Sequence, residues 1–397
     1  MEHTHDYLIV GGGMTADAAA KAIREVDAAA SIGIVGAENH APYQRPPLSK
    51  ALWKGDKTVA EIDLGTAATG ATLHLGRRAV MADRKAHVVH DDRGDQYHYR
   101  RLLLATGTSP RQLPLEGGEK IIHFRTLDDY QALRGQVERG SIVGVVGAGF
   151  IGAEIAAALA GVGCEVCMLF PDAHIGALRY PDGLAKFLDD YYRQHGVIVR
   201  NDTRIAGSQP IDGGVELTLP ERELLRVQLV VAGIGVVPNV ALAEQAGLAV
   251  DNGILVNAHM RTSDPDIWAA GDVANFRSDA LERNLRVEHE DAALSQGRVA
   301  GLSMAGKDAS YDTLPFFYSD LFDLGYEAVG LLDARLQMVE DWKVPYREGV
   351  VYYLEHGRVR GVLLWNVWGQ VDAARALIAE KGPFDATTLK GRLPVAG

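Results

Sequence analysis

Two short runs of small residues hold the chemistry of this chain. Gly11, Gly13 and Ala16 follow the apolar run YLIV, and Gly147, Gly149 and Gly152 follow SIVGVV, both with the spacing G-x-G-x-x-G/A. At that spacing the first glycine turns the chain and the second lets backbone N–H groups approach a pyrophosphate. The third small residue packs a helix closely on a strand. An acidic side chain at the end of the second strand, about 20 residues on, accepts hydrogen bonds from ribose hydroxyls; Glu38 and Asp172 stand at those points. One such motif is weak evidence, but two complete copies with both acids imply two dinucleotide sites. Electron transfer between two dinucleotides follows, most simply between a nicotinamide and FAD.

Each copy requires a strand, a helix and a second strand to position it. TADAAAKAIREV and IGAEIAAALAGVG read as the helices, and SIGIV and EVCMLF as the second strands. RLLLATG places Ala105, Thr106 and Gly107 where a strand enters a turn, and DIWAAGDVANF places Gly271 and Asp272 directly after a short apolar strand. Near the end, GVVYYLE and VRGVLLWNVW read as two strands joined at HG, with VDAARALIAEK as a following helix. The 397 residues exceed what one hydrophobic core organises and suggest two or three domains.

Composition excludes several classes. A formal charge of −12 leaves no broad positive field for a phosphate backbone, so nucleic acid is not expected as a partner. The longest uncharged apolar run, LVVAGIGVV, is about half the ~20 residues a membrane helix requires, and no signal segment precedes YLIV, so a cytoplasmic protein without membrane association is expected. Cys164 and Cys167, the two cysteines, fall at a turn entering a strand, where three steps of ~3.3 Å hold the sulfurs apart. They read as structural, and redox chemistry must then belong to a bound cofactor. No metal is required. The loop APYQRPPLSK holds three prolines beside Arg45 and Lys50; the prolines restrict the backbone and so fix the cations in advance.

Two glycine motifs with ATG and then AGD in this order resemble the two-dinucleotide-binding-domain flavoproteins that include glutathione reductase and the ferredoxin reductases. PYQRPPLSKALW, DIWAAGDVANF, RVEHEDAALSQGRVAG and FFYSDLFDLGYEAVG resemble the apoptosis-inducing factor branch and the nearby oxygenase-coupled ferredoxin reductases. The likeness covers nearly the whole chain. It implies an α/β fold of two Rossmann-like, glutathione-reductase-like domains and a C-terminal α/β domain. FAD would bind a discontinuous domain of residues 1–115 and 240–308, NAD the insert 116–239, and residues 309–397 would form the third part.

The same resemblance implies roles for particular residues. On the FAD side, Arg45 would reach the phosphates or adenine and Lys50 the redox-active ring nitrogen, with Val80, Arg111, Glu288 and Tyr318 as further contacts. Tyr318 stands where the family pattern often has tryptophan. On the NAD side, Phe150 would shield the flavin face, Gly235 would permit close approach, and Ile151 and Glu327 would also contact the nucleotide. Glu154, expected in the first turn of its helix where the dipole favours a carboxylate, would pair with Lys50 and bridge the two domains. His289, at the start of EDAALSQGRVAGLSM, would approach the nicotinamide or the flavin edge.

The function implied is hydride transfer from NADH to FAD, then electron transfer to an acceptor such as a ferredoxin or rubredoxin. Asp172 should repel the additional phosphate of NADP. The alternative is a slow-turnover, NADH-responsive protein like apoptosis-inducing factor, whose charge-transfer complex controls partner or oligomer choice. A homodimer is compatible with either, and a quinone or small electrophile is a further acceptor class. Disulfide reduction fails for lack of a dithiol.

Overall fold

Tyr7, Leu8, Ile9 and Val10 are all buried, the mark of a central parallel strand covered on both faces. The computed structural model, which describes residues 1–393, places them so. Glu2–Val10 lies between Ile32–Gly36 and Gln96–Leu104, parallel to both. Thr72–Leu75 extends the sheet on one side, Ile267–Ala269 pairs in parallel with Gln96–Leu104, and Val88–Asp91 and Ala79–Asp83 add an antiparallel flank. The helix Met14–Val26 follows the first strand, and Glu290–Met304 packs on it at backbone distance. A Cβ on Gly297 or Gly301 would stand 2.5 or 2.4 Å from the carbonyl oxygens of Thr15 and Ala19. The alanines of TADAAAKAIREV are small because this second helix lies against them.

The chain divides into two compact units. The first comprises Met1–Arg45, Val59–Ser109 and Val237–Pro315; the second comprises Pro46–Thr58, Pro110–Val236 and the chain from Phe316 onward. In the second unit, five parallel strands run in the order Ile198–Arg200, Glu165–Leu169, Ile142–Val146, Leu229–Ala232 and Ile121–His123. Phe150–Gly161 is the helix after the central strand. A three-stranded antiparallel sheet over Gly207–Val227 contributes Val215, Leu217 and Val227 to the core beneath Val146 and Val230.

The hairpin expected at HG is present. Glu348–Glu355 and Arg358–Trp365 pair antiparallel within a five-stranded sheet, and His356 and Gly357 both take positive φ, as a two-residue turn matched to the sheet twist requires. The helix Val371–Ala379 follows. Cys164 and Cys167 are buried and unpaired with each other. Among the described residues no helix is long and apolar enough to cross a membrane.

Sequence reading passed over one cluster in the first unit. His5 and His74 meet across the intervening strand at Gly33, where a Cβ would lie 2.4 Å from the His5 ring, and their Nε2 atoms are 3.2 Å apart. One ring must therefore be neutral to accept the hydrogen bond. Burial, then the charges of His3, His5 and Arg77, pushes His74 down to about 4 against the attraction of Asp95; burial likewise lowers His5. Between the ordinary imidazole value of 6.5 and about 4, the unfolded chain takes up a proton that folded His74 refuses. Stability from this contact is thus complete above 6.5 and falls as the pH drops through that window. His74→Gln should flatten the dependence of the thermal midpoint on pH over the same window, measured by circular dichroism.

Candidate dinucleotide sites

The two glycine motifs form two similar backbone cradles, one in each unit. In the first, Gly11 has φ +124° and a Cβ on it would fall 2.0 Å from the Ala105 carbonyl oxygen, so any side chain would separate the two strand ends. Ala105 N–H in turn donates to Val10 O. Gly13 caps the Met14–Val26 helix, and a Cβ there would meet nothing within 4 Å. Ala16 is fully buried. The second cradle repeats this: Gly147 has φ +105° with its Cβ direction 2.4 Å from Gly233 O, Gly152 lies 2.1 Å from Gly147 O by the same measure, and Gly149 opens onto free space. In both, crowding on the first glycine and clearance at the helix-capping glycine leave helix N–H groups facing an open cradle, which is the donor set a pyrophosphate fits.

Around the first cradle, Thr106 Oγ1 donates to Asn239 O, whose side-chain amide donates back to Thr106 O, and Asn239 N–H donates to Gly107 O. Thr108 Oγ1 donates to the Asp272 carboxylate at 3.2 Å, and Gly271 N–H to Gln296 Oε1 at 3.0 Å. Arg286 spans the Asp272 carbonyl and Glu288, 2.8 Å from the latter. His289 is the N-cap of the Glu290–Met304 helix. Val80 is exposed where a bulge interrupts the pairing of Ala79–Asp83 with its neighbour, a break that releases backbone groups from the ladder. Glu38 accepts from Tyr43 Oη at 2.6 Å and from Arg45 Nη2 at 2.5 Å. Arg45 thus neutralises the acid at the end of the second strand.

Lys50, Arg111 and Tyr318 lie in the second unit, with the residues read for NAD. Arg111 N–H donates to Gly235 O at 2.9 Å, and Gly235 has φ +90°. Ile151 is exposed at the helix start and Asp172 is half-buried past the end of its strand. Phe150 packs edge-on to Phe317, with the Arg179 guanidinium 4.1 Å from its ring centre. A narrow crevice is bounded by Gly149, Phe150, Arg179, Tyr180, Ser319 and Tyr326 among others. Glu327 lies opposite Tyr318 in the sheet and accepts from Gly369 N–H at 3.1 Å.

The expected Lys50–Glu154 ion pair is present, with Nζ 2.8 Å from Oε1. Two details differ from expectation. The pair does not join the first unit to the second, because Pro46–Thr58 belongs to the same compact unit as the Phe150–Gly161 helix. Trp53 explains this: it packs edge-on to Tyr130 at 5.5 Å, and the Tyr130 hydroxyl donates to Leu52 O. Nor does Glu154 lie in the first helical turn, which contains no acid. Its charge is instead met by side chains. Ser49 Oγ donates to Oε2 and Ser319 Oγ to Oε1, both at 2.6 Å, and the Lys50 ammonium lies 5.2 Å from the Tyr318 ring centre. Sequence reading missed both serines, although each is the immediate neighbour of a residue it selected.

A pyridine nucleotide-disulphide oxidoreductase family model matches residues 5–297, and a model for the C-terminal part of mitochondrion-associated apoptosis-inducing factor matches residues 340–380. The ferredoxin–NAD(+) reductase component of the anthranilate 1,2-dioxygenase system of Burkholderia cepacia is 36% identical over 94% of each chain. Apoptosis-inducing factor 1 of Dictyostelium discoideum is 32% identical over 94% of this chain and 78% of its own length. The solved covalent complex of putidaredoxin reductase with putidaredoxin gives a TM-score of 0.90 at 31% identity, covering 96% of this chain and 95% of the other.

Only 11% of the Lys50 side chain and 3% of the Glu154 side chain are exposed. Glu154→Leu should therefore cost about 3 kcal/mol by stranding a buried ammonium, and Lys50→Met with Glu154→Leu should cost less than Glu154→Leu alone. Denaturant unfolding of the three proteins measures the difference.

Proposed function

The chain belongs to the pyridine nucleotide-disulphide oxidoreductase family, and from that premise we propose that it is an FAD-dependent NADH:acceptor oxidoreductase whose acceptor is a small iron-sulfur protein. The observation that carries this is the pair of open backbone cradles at Gly11–Ala16 and Gly147–Gly152, each with a glycine facing free space at a helix start. The chemistry that FAD supplies when bound is acceptance of a hydride from NADH and release of the electrons to the acceptor. The chain has no thiol suited to that work, since burial raises Cys164 and pushes Cys167 up to about 11.

The chain's own residues bind, orient and balance charge. Helix N–H groups at Gly13 and Gly149 hold the two pyrophosphates. Glu38 and Asp172 accept from ribose hydroxyls. Gly271, Asp272, Glu288 and His289 line the FAD side of the first unit, with Arg45 and Val80 toward its nucleotide end. In the second unit, Phe150, Arg179 and Tyr180 line the crevice read for the nicotinamide, and Lys50 is a cation connected to its wall through Glu154 and Ser319. The ferredoxin reductase relative and the reductase of the putidaredoxin complex, both matched along nearly their whole length, support the choice of acceptor. The match to apoptosis-inducing factor over residues 340–380 favours a second reading, a slow-turnover NADH-responsive protein.

Anaerobic mixing separates the two. Addition of NADH to the FAD-loaded protein should bleach the flavin band, and an oxidised ferredoxin should then restore it within seconds. A persistent long-wavelength charge-transfer band that ferredoxin does not discharge would select the second reading. Asp172→Asn should raise kcat/KM for NADPH relative to NADH by about tenfold, equivalent to about 1.4 kcal/mol, and steady-state kinetics with both nucleotides checks it.

A further inference from the structure

Glu154 is 4% exposed, and a carboxylate so placed stays charged only where hydrogen bonds replace the lost water. The Lys50 ammonium lies 2.8 Å from Oε1. The remaining demand is filled by two hydroxyls from distant parts of the chain, Ser49 on Oε2 and Ser319 on Oε1, both 2.6 Å away. Ser49 and Ser319 are themselves 5% and 1% exposed, and Ser319 also lines the crevice beside Phe150. We propose that Ser49 and Ser319 are positioning residues that keep Glu154 ionised and so fix the Lys50 ammonium behind Ser319, which lines the crevice read for the nicotinamide. The inference rests on the NADH-binding reading of that crevice.

Removal of either hydroxyl leaves a buried carboxylate oxygen short of a donor, which favours protonation of Glu154. A protonated Glu154 no longer balances Lys50, and the ammonium is released from its place. Of the other groups packed around this carboxylate, the buried Tyr326 hydroxyl makes no hydrogen bond to it. Tyr180 and Tyr326 face it from the segment after Asp172 and from the Leu324–Gly330 strand, and Tyr192 from the Asp182–Gln194 helix. Burial first, and Glu154 itself in part, raises all three phenols, Tyr180 to about 12, so they keep their protons through the neutral range. The Tyr192 hydroxyl is committed to Ala153 O. Arg179 lies over Phe150, Glu327 accepts from Gly369, and Lys54 and Asp320 approach each other at 3.9 Å.

The test uses the full chain loaded with FAD, as wild type, Ser49→Ala, Ser319→Ala and Ser319→Thr. Binding of NAD(+) and the thermal midpoint are followed across pH. In either alanine variant the acid limb of binding should rise by about one pH unit, a tenfold change in proton affinity. The deficit in thermal midpoint against wild type should shrink as the pH falls, because a protonated Glu154 no longer needs the lost donor. Ser319→Thr keeps the hydroxyl and should restore the wild-type profile. A variant that folds only at acid pH supports the inference as well. A deficit that does not change with pH, an unshifted acid limb, or failure to fold at every pH in the alanine variants while Ser319→Thr folds would overturn it. Failure of the wild type to bind NAD(+) would instead overturn the reading of the crevice.

Discussion

A carboxylate withdrawn from water has to be met at both oxygens, and this requirement at Glu154 organises much of the second unit. The contact joins three separate stretches of chain: Ser49 and Lys50 before the Ala51–Lys54 helix, Glu154 itself on the Phe150–Gly161 helix, and Ser319 on the first strand of the C-terminal sheet. None of these stretches can move without leaving a buried charge short of a partner. Trp53 locks the first of them by packing on Tyr130 and donating from its indole N–H to Leu48 O. The three prolines of the preceding loop restrict the chain that leads to it. Packing, chain stiffness and charge satisfaction therefore select the same conformation, as expected of a sequence that specifies one structure.

The glycine cradles rest on a different constraint, which is distance between backbones. Gly11 against Ala105 O, and Gly147 and Gly152 against the carbonyls of Gly233 and Gly147, are contacts that no side chain permits. The same device recurs away from the nucleotide sites, where Gly297 and Gly301 let the Glu290–Met304 helix settle against Met14–Val26. In the cradles the short distance brings a helix start up to a strand end and leaves Gly13 and Gly149 open. A nucleotide phosphate needs that clearance and a row of N–H donors more than it needs any one side chain.

Local patterns were legible in the sequence because their causes are local. The apolar strands, the alanine-rich helices, the HG hairpin and the two glycine motifs are fixed by spacing, burial period and positive φ, and each is found where its pattern lies. The Lys50–Glu154 pair was legible only through resemblance, since no spacing rule joins residues so far apart in the chain. The helix start at Phe150 could not be fixed to the turn, and that difference moves Glu154 away from the helix dipole to a position where side chains must satisfy it. The His5–His74 contact was invisible because it depends on which strands flank Ile32–Gly36 and on the space above Gly33.

The sequence by itself determined the chemistry that can be bound here: two phosphate cradles with acids beyond them, no dithiol, and a charge balance unsuited to nucleic acid. Those properties reside in residue type and short spacing. Tertiary structure alone decided which groups share a charge. It put Arg45 on Glu38, drew Pro46–Thr58 into the second unit, and placed the hydroxyls of Ser49 and Ser319 on one buried carboxylate. Hydrogen-bond satisfaction inside a protein depends on what folding brings within about 3 Å, and a linear pattern does not contain that distance.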